Sequence, residues 1–141
     1  MARIPVPAFW LGMAGLIPFL YGAITALGMA PLHPTLTAQA VLVPYGAAIL
    51  AFMGGCLWGF ASTNDQAPAW RELCISVVPP LWALSAQFHP APLSMLAAGF
   101  AVLIAIDLIF VMRRLTPSWW MALRLPLSGV VLVCLLAGAL A

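Results

Sequence analysis

The stretch "YGAAILAFMGGCLWGFA", residues 45–61, carries no charged side chain. It is apolar enough to sit in lipid, yet Gly54, Gly55 and Gly59 would weaken a helix in water. A membrane span resolves that conflict. Ala47, Ala51, Gly55 and Gly59 recur every four residues and so share one helix face. Small residues on such a face let another backbone approach closely, giving van der Waals contact that larger side chains would block. The expected neighbour is another helix of the same chain. A subunit interface and a groove for a cofactor or lipid are the less ordinary uses. Cys56 lies off this ladder.

The composition of the whole chain agrees with a lipid environment. Of its 141 residues, 65% are hydrophobic and 6% are charged, whereas soluble domains carry about a quarter charged residues. Such a chain could not cover its surface with polar groups in water, so lipid must be part of its solvent. There is no lysine, and Arg3, Arg71, Arg113, Arg114 and Arg124 supply the positive charge. The small net charge of +2, with no basic patch among exposed aromatics, points away from a nucleic-acid partner. Cys56, Cys74 and Cys134 are widely spaced and show no CxxC pairing. They read as buried structural thiols, not as a disulfide framework or zinc site.

A bilayer core about 30 Å thick takes roughly 20 apolar residues of helix. Five such runs are legible, near Pro7–Ala30, Thr37–Ala61, Trp70–Phe88, Pro92–Met112 and Trp119–Leu140. The connections "PLHPT", "STNDQAP", "HPAP" and "RRLTPS" contain the expected breakers. The expected fold is all-α: a single five-span membrane domain over residues 1–141. The arginines fall on or near the side of the N-terminus, and the other two loops hold His33 and His89 but no arginine. The positive-inside rule then places the N-terminus in the cytoplasm and the C-terminus outside. Trp10, Trp58, Trp70, Trp119 and Trp120 fall near the predicted interfaces, where amphipathic aromatics anchor at headgroup level.

Asp107 is the acidic side chain set well inside a span. An ionisable group there is costly and needs a partner or a function. If the turn between the last two spans centres near Thr116, Asp107 and Arg124 lie at similar depths. An Asp107–Arg124 ion pair across the hairpin is expected, with Arg114 as a second candidate and a proton or substrate role as the functional alternative. Pro79 and Pro80 at the middle of the third span should kink or break it, and Pro18 should bend the first. Freed carbonyls would find Ser76, water or neighbouring helices, although discontinuous helices also build ion sites in transporters. His33 and His89 each precede proline and read as solvated loop histidines. Gln39 and Gln87 lie near the same face and could hydrogen-bond a quinone ring. No Ser/His/Asp, Cys/His or paired-carboxylate arrangement appears, so an enzyme is not expected.

Several motifs occur together in order: "LGMAGLIPFLYG", "YGAAILAFMGGCLWGFA", "SVVPPLWA" and "TPSWWMALRLPL". This pattern resembles the family of small multi-spanning membrane proteins that includes transmembrane protein 69, domain of unknown function 3429. The resemblance runs over nearly the whole chain from about Leu11. Its sharpest part is Tyr45, Gly46, Phe52, Gly54, Gly55, Trp58 and Gly59, with Pro117, Trp119, Ala122, Leu123 and Arg124 as a closing motif. It implies an energy-transducing membrane but no particular reaction. The lack of an Arg- and Ser-rich transit segment favours the bacterial inner membrane. The leading expectation is a non-enzymatic accessory subunit or assembly factor of a respiratory or photosynthetic complex, its partners being membrane lipids and other integral membrane proteins. The rival is a small binding protein or transporter for a quinone, lipid or other hydrophobic molecule. No cofactor or metal is expected, and a bound lipid or quinone is compatible with the sequence.

Overall fold

The computed structural model describes residues 3–63 and 70–141. Among these, every regular element is helical: α1 (Val6–Ala14), α2 (Ile17–Ala26), α3 (Ala38–Ser62), α4 (Trp70–Ser76), α5 (Val78–Gln87), α6 (Pro92–Met112) and α7 (Trp120–Leu140). Four runs among the described residues are long and apolar enough to cross a bilayer. They are Val6–Ala26, which joins α1 and α2, and the single helices α3, α6 and α7. At 25 residues, α3 extends about 37 Å at 1.5 Å per residue, more than a hydrocarbon core requires. The stretch expected to form a further span is split into α4, of 7 residues, and α5, of 10.

The splits follow from proline chemistry. Pro79 and Pro80 lack the N–H groups that would reach the carbonyls of Ile75 and Ser76, so α4 ends at Ser76 and α5 restarts at Val78. Val77 bridges the gap with a shorter-range bond, its N–H donating to Cys74 O at 3.3 Å. Pro18 occupies the first turn of α2, and it cannot donate to Ala14. There Leu16 N–H donates to Met13 O at 3.1 Å, a three-residue step between α1 and α2. The Tyr45 hydroxyl crosses from α3 to donate to Gly15 O at 2.8 Å, which satisfies a carbonyl at the break.

α3 is the hub, touching α2, α4, α5, α6 and α7. Its buried positions are Leu42, Gly46, Leu50, Gly54, Leu57 and Ala61, a repeat of three and four residues that traces one helical stripe. This corrects the small-residue expectation. A Cβ on Gly55 or Gly59 would meet nothing within 4 Å, and Ala47 and Ala51 are only half-buried. The close approach occurs one residue earlier, at Gly54, where a Cβ would lie 2.4 Å from Pro80 Cδ and 2.8 Å from Ser76 O. Gly54 is the recess that receives the proline break of the α4–α5 segment. Leu42 fills a matching recess between Gly22 of α2 and Gly138 of α7, whose Cβ positions would fall 2.4 and 2.7 Å from its side chain.

α6 and α7 pack against each other as a hairpin. α6 closes in a Schellman motif, with Arg114 N–H donating to Val111 O at 2.9 Å and Leu115 N–H to Phe110 O at 3.0 Å. Arg114 takes the left-handed position of that motif, with φ of 58°.

Candidate functional site

The hairpin brings Asp107 of α6 and Arg124 of α7 together. Arg124 Nε donates to Asp107 Oδ2 at 3.2 Å, with side-chain exposures of 6% and 1%. Both groups are thus out of solvent, where an unpaired charge would cost several kcal/mol. Asp107 Oδ1 accepts a second bond, from Trp120 Nε1 at 3.0 Å. Trp120 is therefore not an interface anchor. It is 7% exposed, stacks edge-on against Phe60 with ring centroids 4.8 Å apart, and places its ring 5.9 Å from Arg124 Cζ. One helical turn from Arg124 brings Trp120 to the same face, a geometric signal that an interfacial reading of neighbouring tryptophans overlooked. Of the other expected anchors, Trp10, Trp58 and Trp70 are exposed and Trp119 is half-buried.

Arg114 takes no part in this pair. It sits in the left-handed turn after α6 and is exposed. Its neighbour Arg113 instead pairs with Glu72 of α4, which ties the end of α6 to the start of the broken segment. Sequence reasoning missed this contact, although both residues lie at the arginine-bearing ends of their segments.

The pair leaves part of the Arg124 guanidinium unsatisfied. Its Nη2 atom is buried with no hydrogen-bond acceptor among the described residues. Arg124 also lines a half-open cavity of about 370 Å³ between α1, α2, α3, α6 and α7. The other lining side chains are uncharged and mostly apolar, among them Phe19, Met53, Cys56, Phe100, Leu127 and Val131. Leu11 and Phe52, 74% and 62% exposed, form its outer rim. One turn along α7 from Arg124, the buried Ser128 hydroxyl also has no partner among the described residues.

Of the residues that motivated a ligand site in the sequence, Asp107 adjoins the cavity through its bond to Arg124, and the others lie elsewhere. Pro79, Pro80, Gln39 and Gln87 do not line the cavity. Gln39 and Gln87 are exposed, as are both histidines. His33 Nδ1 lies 2.8 Å from Thr35 Oγ1, and His89 Nδ1 accepts from Ala91 N–H at 3.0 Å. Each thus braces its own turn. Among the described residues, no group of three or more His, Cys, Asp or Glu could hold a metal ion.

Apolar helices of membrane-spanning length around a sealed ion pair define a polytopic integral membrane protein. Comparison with known proteins then places it more narrowly. The chain belongs to the family described as protein of unknown function DUF3429, whose model matches residues 4–140. It is 37% identical to transmembrane protein 69 of Xenopus tropicalis over 143 aligned positions, covering 96% of this chain and 54% of that protein. It is 29% identical to transmembrane protein 69 of Mus musculus over 126 positions, covering 86% of this chain and 50% of that protein. The chain thus spans about half the length of these curated relatives. No solved structure matches it significantly.

Proposed function

We propose that this chain is a non-enzymatic membrane protein that holds a small hydrophobic molecule in the cavity between α1, α3 and α7. The observation that carries this reading is the cavity itself: its volume of about 370 Å³ falls in the range of small-molecule sites, about 300–1,000 Å³. Its lining has the predominantly apolar and aromatic composition of such sites, with the Arg124 side chain forming part of one wall. The exposed rim at Leu11 and Phe52 offers a route from the surrounding lipid. The test is extraction in mild detergent followed by mass spectrometry of bound lipids and quinones, for the native chain and for Cys56→Phe, which fills the cavity. A lipophile retained by the native chain and lost from the variant is expected. The same complement on both proteins would refute the reading.

A second reading rests on α3. Gly55 and Gly59 leave an open strip, flanked by exposed Phe52 and Trp58, with room for a helix of another membrane protein. This supports an accessory or assembly role beside another protein, in the energy-transducing membrane that the family resemblance implies. Gly55→Leu with Gly59→Leu would leave the bundle folded and abolish co-purification of the partner. Retention of the partner would remove this reading.

The proposed topology makes the α4–α5 segment a fifth crossing in the bacterial cytoplasmic membrane, with the N-terminus in the cytoplasm. Single cysteines placed at Thr35, His89 and Ser118 would test it. The first two should react with an impermeant thiol reagent from outside and the third from inside.

A further inference from the structure

We infer that the turn between α6 and α7 binds the phosphate of an anionic membrane lipid, with Arg114 as its cation and the Thr116 and Ser118 hydroxyls as further donors. The inference is independent of the cavity between α1, α3 and α7.

The ion pairs decide which arginines are available. Glu72 is taken by Arg113 and Asp107 by Arg124. Among the described residues, this leaves Arg3, Arg71 and Arg114 exposed and without a carboxylate partner. The Arg113–Glu72 pair ties the end of α6 to the start of α4, so Arg71 and Arg114 lie at the same end of the bundle. Arginines without a counter-charge at the end of a membrane bundle attract anionic headgroups.

Of these three arginines, Arg114 borders a recess. A half-open pocket of about 290 Å³ lies at the turn, lined by Val111, Arg114, Thr116, Pro117, Ser118 and Met121, and polar atoms form part of its wall. Its order along the membrane normal matches that of a lipid. Val111 belongs to the last turn of α6 and Met121 to the first turn of α7, and the exposed Val111 and Met112 face the acyl chains. Arg114, Thr116 and Ser118 lie in the connection beyond both helices, at headgroup level. A guanidinium presents a fork of N–H donors that fits phosphate oxygens, and each hydroxyl adds one donor. A zwitterionic headgroup carries its own cation, whereas an anionic one leaves its charge for Arg114 to balance. The backbone marks the same place. Arg114 holds a φ of 58°, where glycine is the usual residue, so the fold bears the strain of a β-carbon to keep a cation there.

The experiment is native mass spectrometry of the full chain released from nanodiscs of equal phosphatidylcholine and phosphatidylglycerol, with thermal unfolding measured in parallel. Retained phosphatidylglycerol should exceed phosphatidylcholine on the order of fivefold. Arg71→Gln, which removes the same charge outside the pocket, should keep that ratio. Arg114→Gly should lose the preference, while its unfolding midpoint in phosphatidylcholine alone rises, because glycine relieves the left-handed position. Thr116→Val with Ser118→Ala, which keeps the arginine, should lower the ratio at unchanged net charge. Equal losses in Arg71→Gln and Arg114→Gly would overturn the pocket in favour of diffuse surface charge. Equal retention of the two lipids by the native chain would overturn the site altogether. Phosphatidylglycerol should raise the native midpoint, and inorganic phosphate added to phosphatidylcholine discs should leave it unchanged. The reverse would overturn a lipid as the source of the phosphate.

Discussion

Neutralising one member of the Asp107–Arg124 pair should be far more damaging than neutralising both. Asp107→Asn keeps the shape and one acceptor for Trp120, but turns an amide donor toward Arg124 and leaves a buried guanidinium without its counter-charge. The pair is 1% and 6% exposed, so neither orphaned charge can relax into solvent in place. Breaking a buried ion pair from one side costs about 3–5 kcal/mol. Arg124→Gln leaves the carboxylate charged, with Trp120 still donating to it, and falls in the same range. In Asp107→Asn/Arg124→Gln both charges are gone. The amides can bond to each other, and Trp120 keeps an acceptor. The double variant should lose no more than about 2 kcal/mol, since paired polar groups replace paired charges. The assay is reversible unfolding in detergent–lipid bicelles, read for the native chain, both single variants and the double variant. Strongly non-additive losses are expected, with the double variant more stable than either single one. A double variant that loses the sum of the two single losses would show that the side chains act independently, and would refute the clasp.

Other perturbations separate packing from open space. Gly54→Ala should destabilise the bundle by about 1–3 kcal/mol because its Cβ would strike Pro80 and Ser76 O. Gly55→Ala, with nothing in reach, should stabilise it by up to about 1 kcal/mol through helix propensity; thermal unfolding of the two variants side by side checks both signs. Ser128→Ala removes a buried hydroxyl that has no partner among the described residues. It should be neutral or raise stability by about 1 kcal/mol, and a clear loss would mean the hydroxyl is bonded in the membrane. Tyr45→Phe removes the bond to Gly15 O and should cost about 1 kcal/mol. Hydrogen exchange should quicken locally at Leu16 and Ile17, and exchange unchanged there would refute the bracing role of the hydroxyl.

Particular residues show how much could be read in advance. The Asp107–Arg124 pairing was legible because a hairpin with a short turn equalises depth, so counting outward from Thr116 suffices. The breaks at Pro18 and at Pro79–Pro80 were legible because a proline removes a donor whatever surrounds it. Yet Pro44 and Pro126 lie inside continuous helices, so the presence of a proline does not by itself say whether a helix divides. The face of α3 was read one residue out of phase. Small residues recur along Ala47–Gly59, whereas the buried stripe alternates Gly46 and Gly54 with leucines, and only the position of Leu96 and Pro80 against those two glycines decides between the faces.

The same division runs through the candidate site. Composition, apolar run length and the scarcity of charge determine by themselves that the chain lives in lipid and folds as helices, because an unpaired backbone cannot be carried into hydrocarbon. Spacing along one chain also limits which ionisable groups can share a depth. The cavity, the turning of Trp120 inward and the pairing of Glu72 with Arg113 were decided only by tertiary structure. They depend on the rotation of each helix about its axis, and neighbouring side chains from distant parts of the chain set that rotation.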